Sequence, residues 1–212
     1  MLDNLNNIKS IDKNNFFNNI KEFPIQIEEI FKMGNILQNK NNNNLDYDNI
    51  LFCGMGGSAI GGDLLNSMIE DKLKTPIITN RDYGLPNWTT TSTLVILSSY
   101  SGNTEEIVSC YDECVDKGIS PIIISSNGKL LDTAQSRGDR YAITPSGLMP
   151  RAALGYAISI LFKVFNELHI IESSQLDELK HSIVSLKVDS EHYSNIDINT
   201  NDAISLSAEI FN

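Results

Sequence analysis

The spacing of apolar residues changes near residue 50, and the change separates two kinds of element. Over residues 11–38, Phe16, Phe17, Ile20, Phe23, Ile27, Ile30, Phe31 and Met33 recur at roughly helical spacing. Pro24 interrupts that stretch, and a proline inside a helix removes a backbone hydrogen bond. The pattern therefore predicts one broken or two short amphipathic helices. Asn39-Lys40-Asn41-Asn42-Asn43-Asn44 follows as a polar, low-complexity link. From Ile50 the chain alternates instead. Continuous apolar runs at 50–53, 76–79, 94–98, 121–125 and 140–143 read as strands, and such runs suit a parallel sheet covered on both faces. Helices are expected between them at about 58–70, 104–117 and 129–136. The second is well marked: Glu105 and Glu106 sit in its first turn, Ile107, Val108, Tyr111, Cys114 and Val115 form its apolar stripe, and Lys117-Gly118 ends it.

Pro150 opens a segment, Arg151 to His169, that is apolar nearly all round. It reads as one helix buried on most sides, with proline at its first turn. A more polar helix is expected at about 173–187, then a linker at Ser194–Thr200, then a further helix beginning at Asn201 and cut off at Asn212. The exposed faces of the 151–169 and 173–187 helices should form an apolar patch that invites self-association. The expected class is α/β, a three-layer sandwich with a five-stranded parallel sheet flanked by N- and C-terminal helices.

Composition narrows the function. A chain of 212 residues holds one α/β domain of ordinary size with flanking helices, and 41% hydrophobic content is enough for a core. The formal charge of −11 argues against nucleic acid or an anionic membrane as partner. No run has the length of a membrane span, and no basic-then-apolar signal segment opens the chain. The three cysteines, Cys53, Cys110 and Cys114, show no framework spacing, which fits a reducing cytoplasm. Cys110 and Cys114 share a helix face, but His169, His181 and His192 lie far along the chain. Packing is therefore favoured over a metal site.

Two loops carry the chemistry. Gly54-Met55-Gly56-Gly57-Ser58-Ala59-Ile60-Gly61-Gly62-Asp63 and Ser98-Ser99-Tyr100-Ser101-Gly102-Asn103-Thr104-Glu105-Glu106 each lie between a strand and a helix. At such a turn, free backbone N–H groups and the positive end of the helix dipole converge. Gly54-x-Gly56-x-x-Ala59 fits a dinucleotide fingerprint, with Asp82 placed to serve as the ribose carboxylate. No Lys-Ser/Thr pair follows the glycines, so a Walker loop is excluded. The second loop favours a phosphomonoester, whose three terminal oxygens accept several hydrogen bonds at once. Ser99, Ser101 and Thr104 offer hydroxyls, while Gly102 and Asn103 let the backbone turn inward. A Ser/Thr cluster that merely caps a helix is the plainer alternative. Gly57 permits close approach to the same crevice, Ser58 can bond a sugar hydroxyl, and Gly61 and Gly62 read as packing of the helix on the sheet. Arg151 heads an otherwise apolar helix, where a cation is disfavoured by the dipole. A ligand anion would repay that cost, and a surface salt bridge is the alternative.

Gly54-Met55-Gly56-Gly57-Ser58, Ser99-Tyr100-Ser101-Gly102-Asn103-Thr104-Glu105 and Pro150-Arg151-Ala152, in this order and spacing, closely resemble the bifunctional phosphoglucose/phosphomannose isomerase family within the sugar-isomerase (SIS) domain group. The resemblance runs from about Phe23 to the end of the chain. It implies a flavodoxin-like SIS domain over residues 50–170, preceded by a helical segment and linker over 1–49. Connecting helices over 171–212 would lead towards a second SIS domain. It further implies a cytoplasmic homodimer that interconverts glucose 6-phosphate or mannose 6-phosphate with fructose 6-phosphate through a cis-enediolate, with neither metal nor nucleotide as cofactor. Ser99, Ser101 and Thr104 would hold the phosphate, Gly57 and Ser58 the sugar, and Arg151 the enediolate. The family's base Glu, ring-opening His and a further Lys come from its second SIS domain and have no match here. The chain is accordingly expected to be the substrate-cradling half, binding sugar phosphates weakly without turning them over. A non-catalytic phosphosugar-binding module and a nucleotide-binding α/β domain are the competing readings.

Overall fold

The structure is a computed structural model that describes residues 10–39, 47–195, 197 and 199–211. Most of the Asn-rich link, residues 40–44, lies outside the described residues. The elements in chain order are α1 (Phe16–Lys21), α2 (Phe23–Lys32), β1 (Asn49–Gly54), α3 (Gly56–Ile69), β2 (Ile77–Asn80), β3 (Thr93–Ser98), α4 (Glu105–Asp116), β4 (Ile122–Ser125), α5 (Gly128–Arg137), β5 (Arg140–Ile143), α6 (Leu154–Glu167), α7 (Ser173–Ser194) and α8 (Asp202–Phe211). Short 3₁₀ turns cover Glu70–Lys72 and Pro150–Ala152.

All five strands are parallel, in the order β2-β1-β3-β4-β5. Strand side chains alternate between faces, so each strand feeds two cores. Ile50, Phe52, Leu94, Ile96, Ile122 and Ile124 point to one side and pack with α2, α3, α6 and α7. Leu51, Cys53, Val95, Leu97 and Ile123 point to the other and pack with α4 and α5. The two helical layers follow from handedness: the chain moves one way from β1 to β2 and the other way from β3 to β5, and right-handed crossovers then place α3 opposite α4 and α5. The expected αβα sandwich with five parallel strands is what the structure shows.

Two short helices replace the single 11–38 stretch, and Pro24 occupies the first turn of α2. Expectation and structure differ at the head of the apolar segment. The chain forms a 3₁₀ turn at Pro150–Ala152, breaks at Ala153 and only then enters α6. The break has a partner. The buried Gln26 of α2 donates from Nε2 to the Ala152 carbonyl (2.8 Å) and accepts at Oε1 from the Gly155 amide (3.0 Å). Further along α6, Lys163 donates from Nζ to the carbonyls of Ile30, Met33 and Gly34, capping the end of α2 as cations do at helix C-termini. Burial pushes the Lys163 pKa down. α7 runs to Ser194, about two turns beyond the expected end at 187, and α8 begins at Asp202, one residue after the expected start. α7 buries Leu176, Leu179 and Ile183 against the body and leaves Val184 and Val188 outward.

Candidate functional site

In an open parallel sheet, ligands bind beyond the carboxyl ends of the strands where the strand order reverses. Here that point lies between β1 and β3, whose registered ends are Gly54 and Ser98. Both glycine- and hydroxyl-bearing loops therefore open onto one crevice.

The loop after β3 is shaped by its own side chains. Ser99 is buried, and its hydroxyl accepts from the Gly102 amide (3.1 Å) and shares a 2.8 Å hydrogen bond with the Thr104 hydroxyl. Ser101 is exposed, and its oxygen accepts from the Asn103 amide (3.3 Å). Gly102 has φ +67°, and a Cβ there would stand 1.7 Å from the Asn127 carbonyl oxygen, so only glycine fits. Thr104 is the residue before α4, yet its side chain makes no capping bond. Its hydroxyl is engaged with Ser99 instead, which removes the plain capping reading for that residue.

The loop after β1 is tied to the first by Ser58, whose hydroxyl accepts from the Tyr100 amide (3.2 Å). Gly54 makes the tight turn: an added Cβ would lie 3.0 Å from the Ala59 backbone. Gly57 has a specific neighbour, since a Cβ there would meet the Pro150 carbonyl oxygen at 3.0 Å and the Arg151 amide at 3.1 Å. The close approach at Gly57 is thus made by the Arg151 turn. Gly62 faces the Phe52 ring of the sheet as expected, whereas Gly61 faces Ala157 of α6, a helix–helix contact in place of the expected packing on the sheet.

Arg151 is brought to the crevice by its backbone. Its exposed guanidinium lies 5.4 Å from the Phe16 ring centroid, a cation–π contact with α1. Among the described residues no carboxylate pairs with it, so the salt-bridge alternative is replaced by an aromatic one. The strap before it is held by Tyr100, whose phenol donates to the Pro145 carbonyl (3.0 Å) and accepts from the Leu148 amide (3.0 Å). No sequence pattern singles out Tyr100 for this task. For Gln26 the one signal is a polar residue inside an apolar helical stripe.

The other candidates sit elsewhere. The Asp82 carboxylate accepts from the adjacent Tyr83 amide (2.8 Å), closing its own turn. His169 ends α6 with φ +58°, and it, His181 and His192 are exposed. Glu105 accepts from the Tyr83 phenol, whose pKa is raised chiefly by Glu106. Cys53, Cys110 and Cys114 are buried in the α4 layer. A hydrogen bond with Cys110, then burial, pushes the Cys53 thiol up, and burial pushes Cys114 up to about 12. Both stay protonated at neutral pH and act as small packing groups. A shallow groove beside α4 shares Asn103 and Glu105 with the loop, but Asp112, Glu113 and Asp116 also line it and outnumber the cation Lys129, a negative lining that disfavours a phosphate. Among the described residues no helix is long and apolar enough to cross a membrane, and no group of three His, Cys, Asp or Glu side chains is arranged to hold a metal ion.

No family model matches the chain. Among curated proteins it is similar to the bifunctional phosphoglucose/phosphomannose isomerase of Caldicellulosiruptor bescii, 42% identical over 178 residues that cover 84% of this chain and 52% of that protein. The protein of the same name from Aquifex aeolicus is 39% identical over 146 residues, 66% of this chain and 44% of that protein. In structure it is similar to the C-terminal domain of glucosamine-fructose-6-phosphate aminotransferase from Francisella tularensis, with a TM-score of 0.57 at 16% identity, covering 83% of this chain and 57% of that one. That likeness is one of fold alone. The sequence matches show that the chain is related to the bifunctional phosphoglucose/phosphomannose isomerases, and it spans about half the length of the curated relatives it matches.

Proposed function

We propose that this chain is the sugar-phosphate-binding part of an aldose–ketose isomerase acting on glucose 6-phosphate or mannose 6-phosphate and fructose 6-phosphate. The observation that carries the reading is the loop after β3: a buried Ser99 hydroxyl, the Thr104 hydroxyl bonded to it and an exposed Ser101 hydroxyl gather ahead of the α4 N-terminus. Relatives at 42% and 39% identity support it. Residues 50–170 would form the SIS domain, with 1–49 and 171–212 as flanking segments.

In this reading the phosphate sits on Ser99, Ser101 and Thr104, where hydroxyls and the helix dipole replace its hydration without a matching cation. Gly57 and Ser58 border the sugar. Arg151, unpaired with any described carboxylate, turns from Phe16 towards the enediolate oxygens, whose charge develops as a proton moves between C1 and C2. The base and the ring-opening acid come from a second SIS domain that these 212 residues do not include, so the chain binds without turning over. The full-length enzyme is a cytoplasmic homodimer in this scheme.

The test is the shift in melting temperature with fructose 6-phosphate, inorganic phosphate and NAD at equal concentration, since a ligand that binds only the folded state raises the midpoint. A larger shift with fructose 6-phosphate than with phosphate is expected, abolished by combined Ser99→Ala and Ser101→Ala. A shift with NAD alone would transfer the chain to the dinucleotide binders.

A further inference from the structure

Three segments meet at the crevice, and Tyr100 is bonded into each. Its amide donates to Ser58 Oγ of the loop after β1, and its carbonyl accepts from the Ser126 amide (3.2 Å) beyond β4. Its phenol reaches across to the strap that leads to Arg151, donating to Pro145 O and accepting from Leu148 N, both at 3.0 Å. Between Thr144, whose amide bonds the Ser125 carbonyl, and Met149, whose carbonyl accepts from Ala152, the strap has no regular structure. Over that stretch its hydrogen bonds to described residues are the two at the Tyr100 phenol.

We propose that Tyr100 is a positioning residue: its phenol fixes the 145–149 strap so that Arg151 is held ready at the crevice that Ser99 and Thr104 share. The inference rests on the sugar-phosphate reading above and adds a coupling to it. The residue that follows the phosphate-binding serine also sets the register of the cation 51 residues on, so a rearrangement of the phosphate loop is transmitted to the strap through one rigid ring. A phenol suits the task because one oxygen donates and accepts at once, bridging a carbonyl and an amide three residues apart.

Calorimetry of the 212-residue chain with two probes tests this: inorganic phosphate, and arabinonate 5-phosphate, whose carboxylate stands where enediolate oxygens would. Tyr100→Phe keeps the ring and removes both bonds. It should weaken arabinonate 5-phosphate about 3- to 10-fold, the scale of one or two ordinary hydrogen bonds, and leave inorganic phosphate unchanged. In an Arg151→Ala background the same change should cost nothing further, because Tyr100 acts through Arg151. Equal weakening of both probes, or the same loss with and without Arg151, would overturn the positioning role. If the wild type binds neither probe, the sugar-phosphate reading falls, and this inference with it. Should Tyr100→Phe fail to fold, amide exchange of the wild type decides: the Leu148 amide is expected to exchange more slowly than that of Gly147, and equal rates would overturn the proposal.

Discussion

The loop after β3 and the strap before α6 border one crevice, yet only the loop is also bonded within itself. In the loop, Ser99, Ser101, Gly102, Asn103 and Thr104 bond one another within five residues of chain. The strap and the helix break that follows it borrow their shape: Tyr100 holds the strap from 45 and 48 residues away, and Gln26 holds the break at Ala153 from 126 and 129. A structure written into adjacent residues persists as a unit and can be recognised as a motif. A structure held by distant side chains exists only after the core has formed, and each remote bond becomes a place where binding and folding are linked.

The largest effect expected from breaking this contrast is at Gly102, where the loop packs against the segment after β4. Gly102→Ala adds a Cβ 1.7 Å from the Asn127 carbonyl oxygen at a left-handed backbone position, so loop and neighbour must both move. A cost of about 3–5 kcal/mol in urea unfolding is expected. A cost under about 1 kcal/mol would mean the loop can rearrange and is not self-locked. Next comes Gln26→Ala, which leaves the buried Ala152 carbonyl and Gly155 amide without their described side-chain partner. At about 1–3 kcal/mol per unsatisfied group, partly relieved by relaxation, a loss of about 2–4 kcal/mol is expected. Faster amide exchange over 150–155 should accompany it. Stability unchanged by the substitution would show that the break at Ala153 is held by something other than α2.

The same contrast explains which parts are legible in the sequence. All five strands fall within a residue or so of their apolar runs, because a strand buried on both faces needs little but continuous Val, Ile and Leu. Ser99, Ser101 and Thr104 are legible as a loop because their partners lie beside them. The segment 151–169 reads as one helix because nothing local forbids it. The break at Ala153 comes from Gln26, which takes the carbonyl and amide that a continuous helix would pair internally. Arg151 is expected at the crevice, and its backbone is there against Gly57, but the resting place of its guanidinium depends on Phe16, 135 positions earlier, a contact no periodicity announces. Val184 and Val188 face outward on α7, but no large apolar side chain of 151–169 is exposed, so the anticipated patch across both helices does not include α6. The extension of α7 to Ser194 is supported from α1, where Ser190 donates to the Lys21 carbonyl and Glu191 pairs with Lys21.

Two smaller perturbations sharpen the comparison inside the loop itself. Ser99→Ala removes the acceptor for the Gly102 amide and the partner of Thr104, both within a buried turn. About 1–2 kcal/mol of stability should be lost together with phosphate affinity, so this variant mixes folding with binding. The ligand-dependent melting shift reads the second effect and urea unfolding the first. A variant that keeps full stability would show that Ser99 is not what closes the loop.

Ser101→Ala separates the two. Its side chain is exposed and accepts one long bond, from Asn103 N at 3.3 Å, so unfolding in urea should change by no more than about 0.5 kcal/mol. Its hydroxyl hydrogen is free to turn towards a ligand oxygen. Loss of that bond should weaken inorganic phosphate and fructose 6-phosphate alike by about 3- to 10-fold, because the contact is to the group they share. Equal loss for both ligands places Ser101 on the phosphate. A loss confined to fructose 6-phosphate would move it to the sugar, and the phosphate would then have to be sought nearer the β1 loop, at Ser58. No change for either would leave the hydroxyl cluster as a helix-entry structure, and the crevice would need another explanation for its exposed, polar floor.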